Sequence, residues 1–161
     1  MYEDYFKLDR KPFQLSPDPG FFFGSSIHKR ALAYLRYGLT QAEGFIAITG
    51  DVGTGKTTLA RMLFRELPQK EMIAAQIATT QLEADDLLRM VVQAFGLTVK
   101  SESKSALLDQ LETFLHKQAR EGKRALLVVD EAQNLSHTAL EELRMLSNFQ
   151  LGSHPLLQTL L

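Results

Sequence analysis

One stretch limits what this chain can become. Gly50-Asp51-Val52-Gly53-Thr54-Gly55-Lys56-Thr57-Thr58 follows directly on the apolar run Phe45-Ile46-Ala47-Ile48-Thr49 and leads into Leu59-Ala60-Arg61-Met62-Leu63. Strand, glycine-rich loop and helix in that order match the phosphate-loop pattern G-x-x-x-x-G-K-[ST]. Gly50, Gly53 and Gly55 let the backbone turn its N–H groups inward and approach a phosphate closely, where a Cβ would obstruct. Lys56 is suited to neutralise the β- and γ-phosphates, and the Thr57 hydroxyl to complete a Mg²⁺ shell. A helix running from Lys56 to about Glu66 puts the positive end of its dipole under the same phosphates. Residues 50–58 are therefore expected to cradle a nucleoside triphosphate. The absence of a guanine-reading N-K-x-D string favours ATP.

Composition removes other classes of function. The chain has 161 residues, 45% hydrophobic and 23% charged, enough for one globular domain with a core. With 18 basic and 19 acidic residues it has no global positive field of the kind that marks nucleic-acid binding. Without cysteine there are no disulfides, thiolate catalysis or Cys-based zinc sites, which fits a reducing cytoplasm. The start Met1-Tyr2-Glu3-Asp4-Tyr5 carries acid where a secretory signal carries base. No run approaches the ~18 to 20 apolar residues of a membrane span, so a cytoplasmic, soluble chain without membrane contact is expected.

Residues 1–24 read as an irregular segment in which Tyr2, Tyr5, Phe6, Phe13 and Phe21 to Phe23 cluster around Pro12, Pro17 and Pro19. Such a segment cannot be helical past Pro12 and has to be anchored by its rings. It either packs on the core or walls an adenine pocket with Phe13, Pro17 and Pro19. From residue 25 onward the pattern is that of one α/β domain. Ser25 or Ser26 caps a helix with Ile27, Ala31, Leu35, Leu39 and Ala42 inward, and Gly44 ends it. The first strand is expected over 45–49 and the second over Met72 to Ala78. Thr80-Gln81-Leu82-Glu83 reads as a capping box for a helix carrying Leu87, Leu88, Val91, Val92 and Phe95. A further helix presents Leu107, Leu108, Leu111, Phe114 and Leu115 and stops at Gly122. Ala125 to Val129 is too continuously apolar to face water on either side. Ser136 caps a last helix with Leu140, Leu143 and Leu146 inward, residues 152–155 make a turn, and a fourth strand begins at Leu156. Strands alternating with helices predict a doubly wound, mainly parallel sheet with its ligand at the carboxyl ends of the strands.

The third strand ends in Asp130 and Glu131, a Walker B pattern. Asp130 is placed to hold Mg²⁺ opposite Thr57, and Glu131 to orient the water that attacks the γ-phosphate. The second acid points to water as acceptor, hence to hydrolysis, with Lys56 and Glu131 as catalytic residues. Gln133 and Asn134 either sense the γ-phosphate or make turn hydrogen bonds. His28, His116, His137 and His154 lack metal-ligand spacing and read as surface or capping residues. Arg61, Arg65, Arg89 and Arg144 fall in helices, and none is singled out as an arginine finger.

The opening Y-F-K-L-D-R-K-P-F-Q-L-S-P-D-P-G-F-F-F-G-S-S-I-H, then G-F-I-A-I-T-G-D-V-G-T-G-K-T-T and L-L-V-V-D-E-A-Q-N-L-S, resemble the AAA+ ATPases of the general secretion pathway protein A type. They are most similar to the branch found with exosortase and exopolysaccharide loci, and the resemblance spans the whole chain. It implies a P-loop NTPase three-layer αβα sandwich and an oligomeric ATPase at the cytoplasmic face of the inner membrane. Envelope secretion or polysaccharide-export components would be its partners. Family members continue to a polar sensor, a fifth strand, an arginine finger and a helical lid, so the resemblance implies that this chain is a truncated core. It also implies that the first strand becomes an exposed sheet edge. The alternatives are a nucleotide-binding module without turnover, a DNA-associated ATPase of the transposition type that related ATPases imply, and a nucleic-acid motor, suggested by the D-E-A-Q string at 130–133 that also occurs in helicases.

Overall fold

The five-residue apolar core of Ala125 to Val129 forms the centre of strand β3 (Arg124–Asp130), and every one of those residues is buried. An unbroken apolar strand needs cover on both faces, and it has it. The computed structural model describes residues 2–9, 20, 22–42, 44–78, 83–101 and 103–161. Among these, β1 (Phe45–Ile46), β2 (Met72–Ala78), β3 and β6 (Leu157–Leu160) make a parallel sheet in the order β1-β6-β3-β2. β2 and β3 pair along their whole length, from Met72 opposite Arg124 to Ala78 opposite Asp130. β1 lies at the edge and pairs with β6 through Phe45 opposite Thr159 and Ile46 opposite Leu160. It is shorter than the expected 45–49, yet its ladder reaches further. Thr159 N–H donates to the Gly44 carbonyl at 3.3 Å, and Ile48 N–H to that of Leu161 at 2.9 Å.

Helices α2 (Ser26–Gln41) and α3 (Lys56–Glu66) cover one face of the sheet. Helices α4 (Ala84–Ala94), α5 (Lys104–Arg120) and α6 (His137–Leu146) cover the other, which gives three αβα layers. On the first face Leu32, Leu35, Leu39, Leu59 and Leu63 pack on Met72, Leu126, Val128 and Leu160. On the second, Leu87, Val91, Leu107, Leu111 and Leu143 pack on Ala75, Ile77, Leu127, Val129 and Leu157. Residues alternate between these clusters along β3, as a period of two requires.

Caps follow the sequence in part. The Ser25 hydroxyl accepts from His28 N–H, and the Ser136 hydroxyl from Ala139 N–H, so both helices begin on a serine cap. α2 ends at Ala42, which takes a left-handed φ of 56°. α4 departs from the expected capping box. It begins at Ala84, which puts Glu83 at the cap position without a side-chain cap, while Asp85 and Asp86 lie in the first turn beside the positive end of the dipole. Thr80 to Leu82 lie outside the described residues.

Three expectations are corrected. Ile27 is 69% exposed and Leu140 38%, so neither joins the inward stripe, and Leu32 and Ala139 stand there instead. The 152–155 turn is a hairpin: β4 (Gln150–Leu151) pairs antiparallel with β5 (His154–Pro155). Gly152, with φ 64°, opens its two-residue turn, where positive φ matches the strands' twist. The N-terminal segment is not wholly irregular, because α1 (Tyr2–Tyr5) is a short helix. Its rings pack edge to face, Tyr2 and Tyr5 each on Phe6, and Tyr5 and Phe6 stay exposed. Of the described rings here, Phe22 is the one packed against the core. Phe13, Pro17 and Pro19 lie outside the described residues.

Candidate functional site

The carboxyl ends of β1, β6 and β3 converge on one cleft of about 520 Å³. Ile48 to Val52 and Lys56 line one side, Asp130 to Gln133 the other, with Leu160 and Leu161 between them. A parallel sheet produces this arrangement, since every β-to-α connection leaves from the same end.

The loop from Gly50 to Gly55 joins β1 to α3. Gly53 and Gly55 hold φ of 80° and 87°, values that side chains bearing a Cβ rarely adopt. Within the loop Thr54 Oγ1 donates to the Asp51 carbonyl at 2.8 Å. Lys56 Nζ curls back and donates to the carbonyls of Gly50 at 2.7 Å and Asp51 at 2.9 Å. The lysine charge is thus held across the mouth of the loop. Val52 at the tip is fully exposed. Thr57 and Thr58 stand in the first turn of α3, whose N-terminus has no side-chain cap. Its first N–H groups remain donors for an anion placed there.

The acidic strand end meets this helix. Thr57 Oγ1 donates to Asp130 Oδ1 at 3.2 Å, joining groups far apart in sequence. Asp130 Oδ1 also accepts from Glu131 N–H at 3.1 Å. Glu131 has a left-handed φ of 59°, uncommon for a residue with a side chain and costing on the order of 1 kcal/mol. This bend turns the chain off β3 into a single 3₁₀ turn, Ala132–Asn134, and Asn134 N–H closes it on the Glu131 carbonyl at 2.9 Å. Gln133 Nε2 donates to the Glu131 carboxylate. Of the two readings of Gln133, the structure shows the hydrogen bond within the turn, made to Glu131. Arg89 and Arg144 pair on their own helices with Asp86 and Glu141.

One contact has no counterpart in the sequence reading. His28, in the first turn of α2, puts its Nε2 3.0 Å from the Thr54 carbonyl, at the heart of the phosphate loop. Its Nδ1 stands 2.6 Å from Ser25 Oγ, and the Phe22 ring packs edge-on against it at 5.6 Å. The sequence reads Ser25 or Ser26 as a helix cap and His28 as a surface or capping residue. Nothing in the spacing linked them to residue 54.

The parallel sheet between two helical layers, the glycine loop on β1 and the acids ending β3 define a P-loop NTPase. Residues 39–161 match the family described as AAA domain, and the chain belongs to that family of ATPases. It is 40% identical, over its full length, to general secretion pathway protein A of Aeromonas hydrophila, of which it spans 29%. It is 33% identical, over 56% of its length, to a Thermoplasma acidophilum protein named as ORC1-type DNA replication protein 1, of which it spans 25%. The chain therefore covers less than a third of either relative. The solved structure of the Aeropyrum pernix ORC2 protein in ADPNP-ADP complexes superposes with a TM-score of 0.59 at 16% identity. That likeness covers 93% of this chain and 42% of the other, and it concerns the fold.

Proposed function

We propose that this chain binds ATP with Mg²⁺ in the loop Gly50 to Thr58 and hydrolyses it. The observation that carries the reading is the 3.2 Å contact of Thr57 with Asp130, which joins the loop's hydroxyl to the acid of the third strand inside one cleft. A hydroxyl beside a carboxylate is a hard-oxygen pair that suits Mg²⁺, with the remaining ligands from phosphate and water. Thr57 and Asp130 would hold the ion, which when bound supplies positive charge to the β- and γ-phosphate oxygens. The loop N–H groups and Lys56 bind the phosphates, with Lys56 exchanging its two carbonyl acceptors for phosphate oxygens. Glu131 accepts a hydrogen bond from the attacking water and aligns it with the γ-phosphate. Gln133, bonded to that carboxylate, holds it at the edge of the cleft.

In the parent protein this activity would drive envelope secretion, or exopolysaccharide export in the branch that the opening segment resembles. The chain would work there as a homo-oligomer on the cytoplasmic face of the inner membrane. The full-length similarity to general secretion pathway protein A supports this reading. No helix among the described residues is long and apolar enough to cross a membrane. The similarity to an ORC1-type DNA replication protein favours a second reading, a DNA-associated ATPase, which predicts salt-sensitive binding to duplex DNA.

Turnover assays beside nucleotide titrations test the proposal. Glu131→Gln is expected to keep ATP affinity and lose at least ~10²-fold in turnover, while Lys56→Ala loses binding. Unimpaired hydrolysis by Glu131→Gln would remove Glu131 from its role, and wild-type binding without turnover would leave a nucleotide-binding module.

A further inference from the structure

We propose that His28 is a positioning residue of the phosphate loop: its ring fixes the Thr54–Gly55 peptide so that the Gly55 N–H is presented to the bound phosphates. The inference rests on the nucleotide reading above and extends it to a residue on a different element, twenty-six positions before the loop carbonyl it touches.

The protonation pattern follows from the partners. A carbonyl oxygen can only accept, so Nε2 carries the hydrogen of the 3.0 Å bond to Thr54. Ser25 Oγ already accepts from His28 N–H at 3.3 Å, which leaves its own proton for Nδ1 at 2.6 Å. The imidazole is thereby tied at both nitrogens, and Phe22 packs against it with the two rings nearly perpendicular. A side chain so restrained sets the direction of whatever it bonds to.

What it bonds to is half of a peptide group. In a planar trans peptide the C=O and N–H point in opposite directions. Holding the Thr54 carbonyl toward His28 therefore turns the Gly55 N–H to the side away from the helix. A carbonyl engaged as acceptor also makes its own N–H a stronger donor, since hydrogen bonds in a chain polarise one another. Position 55 lies against the same ring: a Cβ there would stand in van der Waals contact with Nε2 at 3.4 Å, and the φ of 87° is what disfavours most side chains. In effect α2 braces the loop from outside while Lys56 spans it from within.

Titration of the full chain with a fluorescent ATP analogue tests this, with ADP and adenosine as competitors. His28→Phe keeps the ring's size and its packing on Phe22 but has no donor. It is expected to weaken ATP and ADP about tenfold and to leave adenosine within about twofold, because one hydrogen bond to a charged ligand is at stake. His28→Gln, whose amide N–H stands near the Nε2 position, should stay within about threefold of wild type. In ¹H–¹⁵N spectra without nucleotide, the Gly55 cross-peak should move in His28→Phe and return toward its wild-type position in His28→Gln. A merely structural role for His28 would lower the melting temperature without separating phosphate-bearing ligands from adenosine. If His28→Phe fails to fold, Ser25→Ala, which frees the other ring nitrogen, carries the test with a smaller loss in the same direction. Wild-type ATP affinity in folded His28→Phe overturns the inference alone. Failure of the wild-type chain to bind ATP overturns the nucleotide reading and this inference together.

Discussion

The two faces of the sheet are held by different kinds of interaction. Under α4, α5 and α6 the packing against the sheet is apolar, with Leu87, Leu88, Val91, Val92, Leu111, Leu127 and Leu143 all excluded from water, and the Lys104–Glu142 ion pair ties α5 to α6 rather than to the sheet. Under α2 and α3 the apolar cluster is smaller and polar ties cross it. Gln158 Nε2 donates to the Gly38 carbonyl at 2.9 Å, and Arg124 donates to that of Leu39 at 2.7 Å, near the end of α2. Arg36 grips Glu66 with two nitrogens, joining α2 to α3, and His28 reaches Thr54. Apolar burial is non-directional and scales with area, so the α4–α6 face supplies stability. Hydrogen bonds are directional and add modestly to stability, so the α2–α3 face supplies placement. The phosphate loop begins α3, on the face where placement is specified.

The largest expected effect tests this division directly. Leu111 is completely buried on α5, and Leu111→Ala should cost about 2 to 5 kcal/mol through lost transfer energy and the cavity left behind. Thermal and denaturant unfolding would read that loss. At a temperature where the variant stays folded, its ATP affinity should match the wild type within about twofold. A large affinity change from so deep in the α4–α6 layer would break the comparison, because it would mean that this layer also shapes the loop.

Much of this is legible in the sequence. β2 and β3 were expected over 72–78 and 125–129, and α3 over Lys56 to Glu66, because continuous apolar runs and glycine-bounded stripes record burial locally. The meeting of the phosphate loop with the acids that end β3 was legible too, since the motif implies it. Helix faces were read less well, for a geometric reason. At about 100° per residue, steps of four drift by about 40°, so Ile27 lies well round α2 from Leu39. Steps of three drift the other way, and Leu140 lies as far round α6 from Leu146. The hairpin of β4 and β5 escaped because two-residue strands leave no alternation to read. The brace from His28 escaped because it depends on where α2 lands, a tertiary fact without a local signal.

A smaller effect should sharpen the comparison from inside the apolar face. Thr159 shares its side of β6 with Leu157 by strand alternation and is fully buried, and its hydroxyl has no hydrogen-bond partner among the described residues. A buried hydroxyl without a partner forfeits its hydration and gains nothing in return. Thr159→Val keeps the shape and removes the penalty, and should raise stability by about 1 kcal/mol, or about 3 °C in melting temperature. ATP affinity should not change. A destabilised Thr159→Val protein would show that this face too relies on a polar tie.

The smallest effect lies on the outside of the same layer. Glu141 projects from α6 into solvent and accepts from Arg144 at 2.8 Å. That hydrogen bond, then the arginine's charge, holds the carboxyl below its ordinary value of 4.5. A carboxylate whose pKa falls on folding adds stability that is fully present above the ordinary carboxylate range. The contribution fades as pH drops through the lowered value, where the folded form finally takes up the proton. Exposure screens the pair, so Glu141→Gln should change the melting temperature at neutral pH by less than Thr159→Val does. That small difference should shrink further in about 0.5 M salt and fade as the pH falls through the lowered value. A Glu141→Gln loss that rivals Leu111→Ala would mean that charge on the outer surface of α6, and not the apolar packing beneath it, holds this layer to the sheet.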